Sequence, residues 1–400
     1  MRKSAAFRFP IFKDKFLHLF LLIPALFYLC LLSPHGTLAQ TSSDEQNIET
    51  VYMIDQDTQW EGQTNIRNNG LVVVNSGKTL TVIGKIDNLA GISEYTDSGV
   101  TARKLAFLNK GTLNFEHGND QSYIYIPYSY ADGANQEHRI VQTMSGGVTN
   151  FNRTVIHLFA QGGTLYGQPL IWALPGAVIN FTDTEMEQWG SFIGPYIRTG
   201  NNASGGTVNF YGTNTFRNLN SDAGIRNHGT INIKSGTTTF ESCTVNLNQQ
   251  DTGTWIIEDG ASLVFDNTTV VPKKASASDA VFQVKNGGTL EFKNGSILDL
   301  EQGIGSGIAI KVEKGGTLIL SAADMKGGSE ANILREDDLS EITITTDWDD
   351  MDPDWNPSKK RAGSRKLPGI SETDDQRNRI QPQSPQRRFR IHLLCPHHHH

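Results

Sequence analysis

Only three cysteines occur in 400 residues, and one of them, Cys30, lies in an apolar N-terminal run; the other two, Cys243 and Cys395, are 152 residues apart. A disulfide scaffold is excluded, so stability has to come from packing and hydrogen bonding. Proline is also scarce, at 14 residues against a usual ~5%, which excludes proline-rich and collagen-like designs. Charged residues make up 19% and apolar residues 37%, and neither fraction approaches the disordered limit. Beyond the N-terminus no stretch is long and apolar enough to span a bilayer. What the chain has in excess is glycine, 39 residues against a usual ~7%, and glycine without proline predicts many tight turns.

The net charge of −7 conceals three unequal segments. Residues 1–39 carry 5 basic and 1 acidic side chains, residues 358–400 carry 10 and 3, and residues 40–357 keep 20 and 38, a net −18. A body of that sign argues against nucleic acid as a partner, because phosphate binding needs the opposite charge. Like charges also oppose end-to-end stacking, so a monomer is expected.

The first 39 residues read as a signal peptide. Arg2, Lys3, Arg8, Lys13 and Lys15 precede a run from Phe16 to Leu32 that is apolar except for His18, and Ser33 to Ala39 supplies small residues at −3 and −1 before Gln40. The run is shorter than the ~20 residues of a spanning helix. Tyr28 and Leu29 stand where a lipoprotein signal at Cys30 would need small residues. A secreted, extracellular protein with no membrane span after cleavage is expected.

A repeat organises the body. Glycine, then a small residue, an aliphatic, any residue, and Phe or an aliphatic recur from Gly77-Lys78-Thr79-Leu80 and Gly111-Thr112-Leu113-Asn114-Phe115 to Gly288-Thr289-Leu290-Glu291-Phe292 and Gly316-Thr317-Leu318-Ile319-Leu320. Copies between them begin at Gly147, Gly176, Gly206, Gly229 and Gly260, and the steps are 34, 36, 29, 30, 23, 31, 28 and 28 residues. Within a copy, apolar and polar positions alternate with period two, the pattern of a strand buried on one face. The preceding glycine marks a turn that needs a positive φ or close backbone approach. An Asn/Gly turn and a second short strand often follow. Such units cannot close a core alone, and stacking them buries one continuous column. The fold this predicts is all-β: a right-handed parallel β-helix solenoid of about 10 coils over residues 40–346, roughly 50 Å long at the ~4.8 Å strand spacing. Loops are expected to leave it at 84–103, 116–139 and 183–204. An antiparallel sandwich or propeller is the competing fold, disfavoured by the few hairpin signals.

The phrases "NKGTLNF", "GGTVNFYGTNTF", "NHGTINIKSGTTTF", "EDGASLVFDN" and "KNGGTLEFKNGS", with "LVVVNSGKTLTVIG" as a first coil, resemble the pectate-lyase-like adhesive domains of Gram-positive bacterial surface proteins over residues 50–345. The resemblance implies a right-handed parallel β-helix and a non-enzymatic surface role, binding host or matrix glycans or proteins. Other β-helical surface proteins, autotransporter passengers among them, use similar repeats.

The same fold hosts polysaccharide lyases and hydrolases, so the alternative function is a calcium-dependent lyase or glycoside hydrolase, judged on its site. Hydrolysis of the polygalacturonase type needs paired carboxylates, a G-H-G histidine and an R-x-K anion clamp. Only Asn227-His228-Gly229 comes near, and His228 reads as a turn residue; Asp337-Asp338 and Asp349-Asp350 follow the last repeat. For a lyase, Asp183, Glu185 and Glu187 would share one face of an extended stretch and are weak Ca2+ candidates, with Arg198 nearby in sequence; a solvated strand face is the plainer reading. The D-x-D-x-D run from Asp350 has Trp355 at the turn-glycine place and Arg361 at the bidentate-glutamate place, so it is not an EF-hand. Residues 347–357 read as an acidic boundary whose Trp348 and Trp355 cap the core. No catalytic residue, metal or cofactor is assigned.

Candidate ligand-binding residues are the aromatics Tyr123, Tyr125, Tyr128 and Tyr130, and Trp189, Phe192 and Tyr196 in the 183–204 stretch, since such side chains combine large area with a polar tip. Packing on a neighbouring loop is the alternative for each. The Asn-x-Ser/Thr triplets at Asn152, Asn180, Asn202, Asn267 and Asn294 are expected from composition. Residues 358–400 lose both alternation and repeat and read as a disordered basic tail. Leu367-Pro368 begins a sortase-like motif that is not completed, so three arrangements stay open: release, retention on anionic cell-wall polymer by the tail, or a natural C-terminal region missing here; a purely structural stalk whose active part that region carried is a third functional reading.

Overall fold

A computed structural model describes residues 40–344, apart from segments 43–44, 92–93, 98–99, 103–104, 117–122, 128–138, 161–168, 191–194, 201–203, 221–223, 248–252, 273–279, 302–306, 328–331 and 337–340. The signal, the acidic segment 347–357 and the basic tail lie outside them. Among the described residues there are 36 short strands and no α-helix. They pair in parallel, coil upon coil, the exception being a hairpin of Tyr95–Asp97 with Val100–Ala102. The protein is a parallel β-helix.

One sheet, here called A, holds twelve strands from Gln40–Ser42 to Ile333–Arg335, so the described residues make twelve coils where about ten were expected. Eighteen further strands form two faces, B and C. They are joined because the long strand Thr64–Val74 turns the corner, its start pairing with Gln46–Ile48 and its end with Val51–Ile54. A fourth face, D, is made of Thr244–Asn246, Thr269–Val271, Ile297–Asp299 and Asp324–Lys326.

The three expected loops contain strands of the rod. Residues 84–103 supply Ile86–Gly91, residues 116–139 supply Tyr123–Pro127, and residues 183–204 supply Glu185–Gly190 and Ile197–Thr199. Their inward positions keep the apolar period, with Ile86, Ile124, Met186 and Ile197 buried. Gly84 precedes Ile86 at φ 127°, but no glycine turn announces Glu185–Gly190, and tyrosines, glutamates or arginine replace the Thr/Asn pattern in the later strands, so the repeat does not extend to them.

The repeat itself changes face halfway along. Its copies at Thr79, Thr112, Val148, Val178, Thr207 and Thr230 stack in register on sheet A. Those at Ser262, Thr289 and Thr317 stack on face B. The change of face falls at the 31-residue step from Gly229 to Gly260. The non-glycine residues with positive φ move with it: Arg153 and Asp183 (φ 49° and 51°) stand between A and B, whereas Asn218, Ser242, Asn267, Asn294 and Ala322 stand between B and D. Asparagine tolerates this left-handed conformation better than most residues, so the triplets at Asn267 and Asn294 mark corners. The anchor glycines are of two kinds on either face: Gly176 is left-handed at φ 78°, whereas Gly206 is needed because a Cβ there would meet the Leu174 carbonyl oxygen at 2.6 Å.

The core records the same shift. Phe115, Phe151, Phe181 and Phe210 stack along sheet A with centroids 4.9, 4.9 and 5.1 Å apart. Phe216, Phe240, Phe265 and Phe292 form a second stack on face B at 4.9, 5.7 and 4.9 Å. Phe210 meets Phe216 edge-on at 5.6 Å and 90°, joining the two. Each buried ring contributes roughly 1.5–3 kcal/mol by leaving water, with about 0.5–1.5 more from the aromatic pairing.

Polar ladders tie the coils together. Asn150, Asn180, Asn209 and Asn232 each donate from Nδ2 to the Oδ1 of the asparagine one coil earlier, at 2.7–2.9 Å, and the row begins at Asn114, which donates to Thr81 Oγ1 at 3.1 Å. Just after the left-handed corner, a buried donor reaches a phenylalanine carbonyl of the preceding coil. Thr154 serves Phe115, Thr184 serves Phe151, Cys243 serves Phe216, Thr268 serves Phe240 and Ser296 serves Phe265, at 2.8–3.2 Å. Cys243 therefore holds a hydroxyl's place, and burial pushes its thiol up to about 12.

Candidate functional site

Face B of the N-terminal half brings together most of the describable candidates. Register sets three strands side by side: Tyr123–Pro127, Val155–Ala160 and Glu185–Gly190. Ile124, Ile156 and Met186 are buried, and the alternate positions form three cross-strand rows. Tyr123 aligns with Val155 and Glu185, Tyr125 with His157 and Glu187, and Pro127 with Phe159 and Trp189. Trp189 is 55% exposed, the highest value among the described large apolar side chains. A large amphipathic ring held on a rigid strand offers a flat surface at low entropic cost. Tyr128, Tyr130 and Phe192 lie outside the described residues.

Tyr196 does not belong to this surface. It is 1% exposed, packs in the main core, and its hydroxyl donates to Gln188 Oε1. Burial pushes its phenol far above the ordinary range, aided by Cys243 nearby. Sequence reading placed it in a loop; it directly precedes the inward-facing start of Ile197–Thr199, where the coil re-enters the core.

Two of the three acidic residues are likewise engaged. Asp183 sits in a left-handed corner, and its Oδ1 accepts the Thr213 N–H of the next coil at 2.7 Å. Glu185 pairs with Arg217 at 3.1 Å, and Arg217 also holds Glu241 at 3.0 Å. Glu187 stands in the His157 row. Among the described residues, no three His, Cys, Asp or Glu side chains come together as a metal site. Arg198 lies on face C, around the corner from Glu185 and Glu187, so the acid–base grouping sought between 183 and 198 is not assembled.

Asn227-His228-Gly229 forms a corner and repeats Asn109-Lys110-Gly111. In both, the asparagine Oδ1 accepts the glycine N–H, at 3.1 and 3.0 Å, while its Nδ2 donates to a carbonyl of the following coil, Thr254 or Val148. His228 holds the place of Lys110 as a buried turn residue.

A grouping the repeat does not reveal lies on face C, where Gln142, Trp172, Arg198 and Arg226 occupy one row of successive strands. Counted to the glycine before the next sheet A strand, the positions differ, with Arg198 eight residues from Gly206 and Arg226 three from Gly229. Sequence spacing could not align them.

No protein-family model matches the chain, and no curated protein matches it. Among solved structures it is similar to the crystal structure of a TibC-catalysed hyper-glycosylated TibA fragment, with 9% identity over 76% of this chain and 98% of that one, at a TM-score of 0.19. A score that low carries no argument about function. No helix among the described residues is long and apolar enough to cross a membrane.

Proposed function

We propose that the protein is an exported, non-catalytic, adhesin-like β-helix that binds glycan or extracellular-matrix ligands through face B of its N-terminal half. The observation that carries this reading is the three-row register of Tyr123, Tyr125, His157, Glu187 and Trp189, with Trp189 more than half exposed. Flat aromatic surfaces edged by hydrogen-bonding groups suit sugar rings and protein patches. The basic, apolar and small-residue succession of residues 2–39 supports export. The occupied state of Asp183 and Glu185 supports binding without turnover.

The test is an array of glycans and matrix proteins probed with the wild type and Trp189→Ala. Saturable binding weakened at least tenfold by the substitution is expected. No saturable binding, or release of unsaturated uronate or new reducing ends from pectin-like substrates, would overturn the reading.

A further inference from the structure

Trp189 is exposed because the wall it stands on narrows at the next coil. Against the preceding coil the strand Glu185–Gly190 is paired along its whole length, but against the following one pairing stops at Glu187, opposite Arg217. The chain then turns off face B at Asn218, in the left-handed conformation at φ 57°. No strand of the following coil stands beside Trp189, and the ring is left on a ledge, 55% exposed. A single exposed apolar residue needs no partner by itself, so the charges around it decide what the ledge holds.

Glu185, Glu187 and Trp189 alternate along one strand with buried Met186 between the first two, so they share the outer face about 6.6–6.8 Å apart. Arg217 faces Glu187 across the strands, yet its guanidinium is held by Glu185 at 3.1 Å and by Glu241 at 3.0 Å. Glu187 is partly exposed, and among the described residues no hydrogen bond or ion pair engages it. Three carboxylates around one guanidinium leave two uncompensated negative charges beside an open indole. The body adds to that field, since residues 40–357 carry −18, which draws cations to the rod and repels anions. An indole face attracts a cation through its quadrupole, and a guanidinium stacks on it flat. The spacing of Glu187 and Trp189 is also that of alternate side chains on an extended peptide.

We propose that this ledge binds an extended basic protein segment, one of its arginines stacking on Trp189 while the cationic side chain two residues away pairs with Glu187. The inference rests on the adhesin reading and narrows its ligands to one class, arginine-bearing protein.

The full chain is titrated by calorimetry with peptides of equal length that alternate Arg and Thr, Lys and Thr, or Glu and Thr, and with chitosan and neutral dextran oligosaccharides. Saturable binding of the arginine peptide, weakened by salt, is expected, with weaker binding of the lysine peptide and none of the glutamate peptide. Trp189→Ala should weaken it about tenfold, and Trp189→Phe less, since a phenylalanine ring still attracts a cation. Glu187→Gln should weaken it about threefold, the range of one exposed ion pair, and flatten its salt dependence. Both side chains lie outside the core, and melting curves check that each variant folds. The basic tail is common to all variants, so the differences report on face B. No binding of the arginine peptide, equal binding of the glutamate peptide, tighter binding of chitosan, or unchanged affinity in Glu187→Gln would overturn the proposal. A neutral glycan whose binding is lost in Trp189→Ala and kept in Glu187→Gln would overturn it and leave the adhesin reading in place. An array with no saturable ligand would instead remove the reading beneath it.

Discussion

The two halves of the rod use one sequence motif on different walls. In the N-terminal half the five-residue strand that follows the glycine lies on sheet A, and its second strand lies on face B. In the C-terminal half the same succession has turned by one wall, onto face B and face D. A corner needs only a left-handed residue and a buried donor for the carbonyl of the preceding coil, and neither requirement says which wall it joins. The outer surfaces diverge accordingly. The N-terminal half carries the asparagine row, the exposed Trp189, and Arg198 and Arg226 in one row of face C. The C-terminal half carries ion pairs between coils, Lys234–Glu258, Lys285–Glu313 and Lys311–Glu336. Such half-exposed pairs contribute little individually, and together they read as a solvated wall.

The largest test of this division is at the junction of the two phenylalanine stacks. Phe216→Ala is expected to cost about 3–5 kcal/mol, the range for emptying a buried aromatic site. Because Phe216 links the stacks, the variant should unfold in urea in two steps where the wild type unfolds in one. A single transition in both, with similar slope, would show that the halves are not coupled there.

A smaller effect compares one row across the two halves. Asn180 receives and donates a ladder hydrogen bond, so Asn180→Ala should cost about 1–2 kcal/mol. Gln283 stands in the same row of sheet A beyond the crossover, and Gln283→Ala should stay within about 0.5 kcal/mol. Equal losses in urea midpoints would mean that the ladder adds nothing beyond strand pairing.

The smallest effect concerns Cys243. At pH 7, Cys243→Thr restores the donor used by Thr154, Thr184 and Thr268 and should shift stability by less than about 1 kcal/mol. Burial raises the folded thiol to about 12, above an unfolded value of about 8.5. The buried thiol's contribution is thus complete below pH 8.5 and is lost as pH rises toward 12. Urea midpoints at pH 7 and pH 10 should fall further in the wild type than in Cys243→Thr. An equal fall would place the alkaline sensitivity elsewhere.

Much of the fold was legible because a strand buried on one side writes its period directly into sequence, as Leu290 and Phe292 do between Thr289 and Glu291. The coil count was low because the end coils, with Gln40–Ser42, Thr58–Glu61 and Ile333–Arg335, lie outside the nine copies, and loops were overextended because strands such as Glu185–Gly190 have no glycine before them. The site was legible only in part. Register sets the strands of Tyr123, Tyr125 and Trp189 side by side, and Trp189 is exposed, but Tyr196 entered the core, because aromatic type alone does not distinguish the packed ring of Tyr196 from the presented one of Trp189. The arginine row escaped notice since its members are neighbours through register, and the chain between Trp172, Arg198 and Arg226 varies in length from coil to coil.

The asparagine row and the hydroxyl and thiol donors that follow the left-handed corners share a direction: each reaches back toward an acceptor on the coil that precedes it. A chain emerging N-terminus first would therefore meet every such acceptor already in place. The rod can lengthen one coil at a time, like masonry laid on a finished course, with no need to wait for its far end.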